Sequence, residues 1–261
     1  MKKTLKTTSF SPPWVIAHRG FKKNYPENTL VAFQAAMDAG AQMIELDVTL
    51  SRDRKPVVIH DATLERTTNG HGPVRDYTME ELKQLDAGGW FHSDFANQRL
   101  PELGEVLELV NSRVITNIEI KANAYEPHHP ADAIEAQVVE LVKQKNMQDA
   151  VLLSSFNVDI LVQIASMKNP PPVALISEEA VTRRIVESCK RLEIFSWHPY
   201  YRVVTEKQVK LVRSAGLRIF PYGVDTLKDY VKMMDMKVDG VITDDPVSAV
   251  QWSHIHIAPE S

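Results

Sequence analysis

Apolar residues along the chain keep two rhythms that take turns. Short β-rich runs are expected over 14–18, 43–48, 116–121, 151–156, 173–176, 194–198, 218–222 and 240–243. Between them, apolar residues recur at intervals of three and four, which predicts helices over 29–39, 131–145, 158–167, 178–190, 206–214 and 226–234. Gly40 and Gly216 punctuate helix-to-strand passages. Strand alternating with helix is the sign of a parallel α/β sheet or barrel.

A further run, 57–60, follows the second strand too closely for a parallel crossover, which needs about twelve or more residues. The polar turn Ser51-Arg52-Asp53-Arg54-Lys55-Pro56 instead predicts a hairpin centred on Asp53-Arg54 that sets His60 roughly opposite Asp47. Residues 61–111 break the rhythm. They hold Asn69-Gly70-His71-Gly72-Pro73, a capping box at Thr78-Met79-Glu80-Glu81, the aromatic loop Gly88-Gly89-Trp90-Phe91-His92 and a last helix over 103–110. This reads as an insertion of about fifty residues over one end of a single domain. Residues 1–13 are expected to form an N-terminal extension, 14–252 the domain with its insertion at 62–112, and 253–261 a tail.

Composition narrows the class only a little. The 261 residues are 44% hydrophobic and 25% charged, as in an ordinary soluble domain with a full core. A net charge of -4 argues against nucleic acid as the main partner. The lone cysteine, Cys189, sits in a helical run with no catalytic signature and reads as inert. The basic start lacks the apolar segment of a secretory signal, and no run reaches transmembrane length. The expected location is cytoplasmic, without stable membrane insertion; the oligomeric state is left open.

The chemistry concentrates at strand ends. Side chains alternate along a strand, so Glu45 and Asp47 share one face, as do Glu119 and Lys121. Buried carboxylates need a cation or donors. In an α/β barrel the C-terminal strand ends form the active face, where these three acids would converge. A structural ion-pair network with Arg19 and Lys121 is the competing reading; convergence of three acids on one rim favours a metal. Carboxylates without a His or Cys cluster suit one hard divalent ion, Mg²⁺ or Ca²⁺. His18 and His60 end runs beside these acids and form a candidate acid–base pair, with Arg19 and Lys121 as donors to a phosphate.

Taken in order, Ala17-His18-Arg19-Gly20, Pro26-Glu27-Asn28-Thr29, Glu45-Leu46-Asp47-Val48, His60-Asp61 with Arg66-Thr67-Thr68, Glu119-Ile120-Lys121, Ser154-Ser155-Phe156 and Asp239-Gly240-Val241-Ile242-Thr243-Asp244 resemble the glycerophosphodiester phosphodiesterases, most closely the bacterial cytoplasmic type. The resemblance spans about 14–250. It implies a TIM (β/α)8 barrel that hydrolyses glycerophosphodiesters, such as deacylated phospholipids, to glycerol 3-phosphate and an alcohol with a divalent metal. By the same resemblance Glu45, Asp47 and Glu119 are metal ligands and His18 and His60 the acid and the base. Arg19 and Lys121 become phosphate contacts, and Glu27 and Asn28 shape the first loop. Phe156 and Trp197 are expected either to pack on the glycerol or the leaving alcohol or to cap the core as rim aromatics. The chain departs from the family at Pro221-Tyr222-Gly223-Val224-Asp225, where a proline at the strand and Asp225 in place of an asparagine are expected to alter the pocket wall and its charge, and with them substrate preference. Two other outcomes stay open: a phospholipase-C-like lyase that stops at a cyclic phosphate, and a non-catalytic metabolite-binding barrel.

Overall fold

The strands that read as continuous apolar runs are buried on both faces, as parallel strands covered by helices must be. The computed structural model describes Leu5 and residues 12–257; residues 258–261 and most of the expected N-terminal extension lie outside the described residues. β1 (Trp14–Ala17), β2 (Met43–Leu50), β3 (Pro56–Val58), β4 (Ile115–Ile120), β5 (Val151–Ser155), β6 (Val173–Ser177), β7 (Ser196–Pro199), β8 (Arg218–Ile219) and β9 (Gly240–Thr243) form one sheet. Its order is β8-β7-β6-β5-β4-β2-β1-β9, with β3 attached to β2 alone. All pairs along that path are parallel. Ile242 N donates to Pro221 O at 2.8 Å and Asp239 N to Ile219 O at 3.0 Å, which brings the two ends of the path together as a barrel. The expected strand over 218–222 is cut short because Pro221 has no N–H to donate.

Alternation sorts the barrel into two environments. Trp14, Ile16, Met43, Ile115, Leu152, Ala174, Phe220 and Ile242 cluster inside it, with Leu5 joining them. Ile44, Leu46, Val48, Ile118, Ile120, Leu153, Leu175, Trp197, Ile219 and Val241 belong instead to the large cluster they share with the helices. The chain therefore spends its inward apolar positions low in the barrel, and the later inward positions become polar.

The helices are α1 (Leu30–Asp38), α2 (Met79–Leu82), α3 (Leu103–Val110), α4 (Ile134–Gln144), α5 (Val158–Ser166), α6 (Arg183–Arg191), α7 (Glu206–Ser214), α8 (Leu227–Asp235) and α9 (Pro246–Ile257). Thr29, Asn157, Thr182, Thr205 and Thr226 cap α1, α5, α6, α7 and α8 by accepting a backbone N–H on the side chain. The Thr182 cap delays α6 beyond the expected 178, leaving Glu178 in the loop at the barrel mouth. α9 has no counterpart in the periodicity and covers part of the stretch that reads as a tail; Trp252 on it lies 5.6 Å from Tyr230 of α8, ring to ring.

Two expectations need correction. The hairpin forms, but its register pairs Val48 with Val58 and Leu50 with Pro56, and Ile59 N donates to Asp47 O at 3.1 Å. Ile59, not His60, therefore stands opposite Asp47. The insertion is also shorter than expected. Leu103, Val106, Leu107 and Val110 of α3 are buried in the main core, so α3 is a barrel helix. The stretch before it has its own small core of Val57, Ile59, Leu64, Val74, Met79, Leu82, Ala87 and Leu100. The expected capping box at Thr78 and Glu81 is present. Among the described residues no helix is long and apolar enough to cross a membrane.

Candidate active site

The pairing of β2 with β4 aligns Asp47 with Glu119 and Glu45 with Asn117, all at inward positions. Each of the three acids offers a carboxylate oxygen within 4.8 Å of the others, and all three are buried. The first loop closes on them. Arg19 adopts a left-handed φ of 53°, and its backbone N donates to Glu45 Oε2 at 2.8 Å. Gly20 follows at φ 82°, where a Cβ would meet Ala32 at 2.7 Å, so only glycine lets α1 approach this turn. Asn28, also left-handed, donates Nδ2 to Asp47 Oδ2 at 2.9 Å and accepts from Asp47 N at 3.3 Å.

Cations are present but too few. Lys121 Nζ donates to Glu119 Oε1 at 2.7 Å and Asp47 Oδ1 at 3.2 Å. Arg19 Nε lies 3.3 Å from Asp47 Oδ2, and its Nη1 donates to Glu27 Oε1 at 2.8 Å. Burial acts against the Asp47 charge, yet Lys121, Arg19 and His60 with the Asn28 hydrogen bond hold it far below the ordinary carboxylate range. The other two acids go the opposite way. Burial, and then repulsion from Asp47 and Glu119, pushes Glu45 well above its ordinary value; burial and Asp47 push Glu119 up to about 7. Three buried carboxylates that cannot all carry charge with the local cations alone, and an all-oxygen donor set, fit a hard divalent ion.

Both histidines are anchored in the same way. His18 Nδ1 lies 2.6 Å from Asp244 Oδ1, and Lys22 Nζ donates to Asp244 Oδ2 at 2.9 Å. His60 Nδ1 lies 2.6 Å from Asp61 Oδ1, and Arg66 clasps Asp61 through Nε at 2.6 Å and Nη2 at 2.9 Å. Arg66 also binds both oxygens of Glu27, which ties the His60 anchor to Arg19. A carboxylate on Nδ1 fixes the ring and leaves Nε2 for proton transfer. Burial lowers the His60 pKa below 6.5, in spite of Asp47 nearby.

His18, Arg19, Glu45, His60, Asn117, Glu119, Phe156, Ile176, Glu178, His198, Tyr222 and Ile242 line one cavity of about 240 Å³. A larger cleft of about 340 Å³ behind the hairpin has arginines but no acid–base pair, and Arg54 there is already paired with Glu126 and Asp132. The structure thus gathers His18, His60, Glu45, Asp47, Glu119, Arg19 and Phe156. Lys121 is drawn to the acids and does not line the cavity. Trp197 requires correction: it is 1% exposed, donates Nε1 to Ser177 Oγ at 2.8 Å and packs in the sheet–helix layer. Its parity is outward, and the neighbour that faces the cavity is His198.

Sequence reasoning missed Asp61, Asp244, Asn117, His198, Glu178 and Tyr222. The first two stand inside motifs already singled out, and inward parity from Glu119 marks Asn117. Asp225 is not a wall residue as expected. Its Oδ1 accepts from Asp244 N at 2.7 Å and Thr243 Oγ1 at 3.0 Å, so it holds the loop that anchors His18.

Residues 18–248 match the glycerophosphoryl diester phosphodiesterase family. The chain is 41% identical over 237 residues to a glycerophosphodiester phosphodiesterase of Caldanaerobacter subterraneus subsp. tengcongensis, covering 90% of this chain and 96% of that protein. It is 38% identical to a glycerophosphodiester phosphodiesterase of Bacillus altitudinis, covering 91% and 96%. Among solved structures, an Oleispira antarctica phosphodiesterase in complex with the product sn-glycerol-3-phosphate has a TM-score of 0.86 at 30% identity, covering 95% of this chain and 99% of that one. An Agrobacterium tumefaciens glycerophosphodiester phosphodiesterase has a TM-score of 0.78 at 30% identity, covering 90% and 98%. The chain belongs to the glycerophosphoryl diester phosphodiesterase family.

Proposed function

We propose that this phosphodiesterase cleaves its glycerophosphodiesters at the mouth of the barrel, on His18 and His60, beside one divalent ion held by Glu45, Asp47 and Glu119. The carrying observation is the pair of histidines, each with Nδ1 2.6 Å from a carboxylate, in the same cavity as Glu45 and Glu119. The ion is Mg²⁺ or Ca²⁺; when bound, it supplies a positive centre that draws charge off the phosphate oxygens. His60 takes the proton from the attacking oxygen, and burial suits it to that task by keeping its ring neutral near pH 7. His18 returns a proton to the departing alkoxide as the phosphorus–oxygen bond breaks. Arg19 keeps a guanidinium nitrogen for the phosphate, since its pairs with Glu27 and Asp47 use Nη1 and Nε. Lys121 balances Glu119 and Asp47, a role its two contacts support better than direct phosphate binding.

The substrate class is deacylated phospholipids, the products glycerol 3-phosphate and an alcohol, and the compartment the cytoplasm. Phosphorus NMR of a complete turnover tests the reaction type. Glycerol 3-phosphate is expected as the sole final phosphorus species from a glycerophosphodiester. A cyclic phosphate that persists after substrate is exhausted would overturn hydrolysis in favour of a lyase.

A further inference from the structure

On the outside of the barrel α4 packs on α5 and α6 on α7, but a groove stays open between α5 and α6. Its upper part, toward the barrel mouth, is a cavity of about 190 Å³ lined by Val158, Leu161, Leu175, Ile185, Leu192 and Ile194. Leu192 also borders a wider cavity of about 660 Å³, which continues along α5 past Val162, Ala165 and Met167. Val158, Val162 and Ile185, on the two flanking helices, are 48%, 38% and 40% exposed. Cys189 adds no charge to the upper cavity, since burial pushes its thiol up to about 11. Leu175 belongs to the cluster between sheet and helices, so the groove lies apart from the catalytic cavity inside the barrel.

The polar groups here are few and are separated by sign. Arg184, in the first turn of α6, borders the upper cavity, and its guanidinium has no hydrogen bond or ion pair among the described residues. Ser188 donates Oγ to Arg184 O at 3.1 Å and accepts from Arg191 Nη2 at 3.0 Å. Among the described residues no acid lines the upper cavity, whereas Glu193, just past the end of α6, borders the lower one. An anionic head is therefore drawn to Arg184 and kept from the far end, and the apolar floor is left to a chain that runs down from it.

An apolar trough with one free cation at its end fits an anionic amphiphile. A flat partner reaches Val158, Val162 and Ile185 but not Leu161 and Leu175, which lie at the floor, 1% and 6% exposed. The substrate class points to the chemistry of the head. The reaction that supplies a deacylated phospholipid hydrolyses its acyl esters, and each hydrolysis releases a fatty acid. We propose that the groove between α5 and α6 binds a long-chain fatty acid, with its carboxylate on Arg184 and its chain on the apolar floor toward Met167. The choice of a fatty acid among amphiphiles rests on the substrate class proposed above; the site itself rests on the groove and Arg184.

Calorimetric titration of the full chain with laurate, below the concentration at which laurate aggregates, tests this. Laurate is expected to bind at least tenfold more tightly than octanoate, because four further methylenes leave water. It is also expected to bind at least tenfold more tightly than dodecyltrimethylammonium, which has the same chain and the opposite charge. Arg184→Ala should weaken laurate by about tenfold or more, the loss of a charge-assisted contact. Val162→Asp, which sets a carboxylate beside the chain, should weaken it as well, whereas Lys190→Ala, at a residue bordering neither cavity, should not. An unchanged Tm shows that each variant is folded. Absence of laurate binding, equal affinity for octanoate and laurate, or full affinity in Arg184→Ala each overturns the proposal. So does binding to phosphatidylglycerol vesicles without binding of free laurate, which would assign the groove to a membrane surface. A dimer in sedimentation that Val162→Asp dissociates, again without laurate binding, would assign it to a second copy of the chain and overturn the proposal too. None of these outcomes bears on the phosphodiesterase reading, since they measure binding and not turnover.

Discussion

Glu45→Ala is expected to lower kcat/KM on a glycerophosphodiester by about 10³-fold or more, with every divalent ion tried. The variant removes one of three carboxylates that face each other within 4.8 Å. It should not unfold the protein, because Glu45 is the acid least compensated in the ion-free state. Burial and its two acidic neighbours raise its pKa, whereas Asp47 balances Lys121 and Arg19. The same inequality sets the pH dependence of ion binding. A carboxyl group raised from 4.5 to about 7 in the folded protein, as Glu119 is, binds more protons folded than unfolded across that interval. Stability of the ion-free protein is therefore lost as pH rises from 4.5 toward 7 on account of this group. A bound cation displaces the proton and reverses the loss, so the rise in Tm on adding the ion should be larger above pH 7 than below it. Wild-type turnover by Glu45→Ala, measured by coupled assay of glycerol 3-phosphate, would remove the ligand role.

His60→Ala is expected to lose about 10²- to 10⁴-fold in kcat, the usual worth of a positioned base. The loss should be the same whether the leaving group is a poor one, such as choline, or nitrophenol, because both need the attacking oxygen deprotonated. His18→Ala should behave differently, with a loss of similar size on the choline ester that largely disappears with nitrophenol, which departs without a proton. The wild-type pH profile carries the sign of the environment. A base whose pKa is pushed down by burial remains unprotonated into more acidic solution, so the acidic limb of kcat/KM should fall below 6.5. Equal sensitivity of the two variants to the leaving group would contradict the division of roles.

The barrel is legible in the sequence because its strands are short runs rich in apolar residues and most of its helices begin on threonine or asparagine. The acids and histidines are legible because period-two alternation fixes which face they share. What escapes has identifiable causes. α3 reads as part of an insertion because the chain reaches it only after the detour with its own small core, although its buried face belongs to the barrel. The hairpin slips by one because its turn, with Arg54 at φ 60° and Ser51 N on Lys55 O, centres on Asp53. Trp197 reads as a pocket residue from its place near a strand end; parity sends it outward and His198 inward. Asp61 and Asp244 stand in the motifs without a visible role, because nothing local shows that a carboxylate will meet Nδ1 of a particular histidine. Asp244 lies far along the chain from His18, and only closure of β9 against β1 joins them.

The central claim is that cleavage of glycerophosphodiesters depends on a divalent ion at the acids of β2 and β4. It is tested most directly by stripping the enzyme with chelator and assaying glycerol 3-phosphate release as Mg²⁺, Ca²⁺ and Mn²⁺ are added back. The stripped enzyme is expected to be silent, with activity restored by at least one of the three and glycerol 3-phosphate formed in step with the alcohol. Undiminished turnover in excess chelator would contradict it.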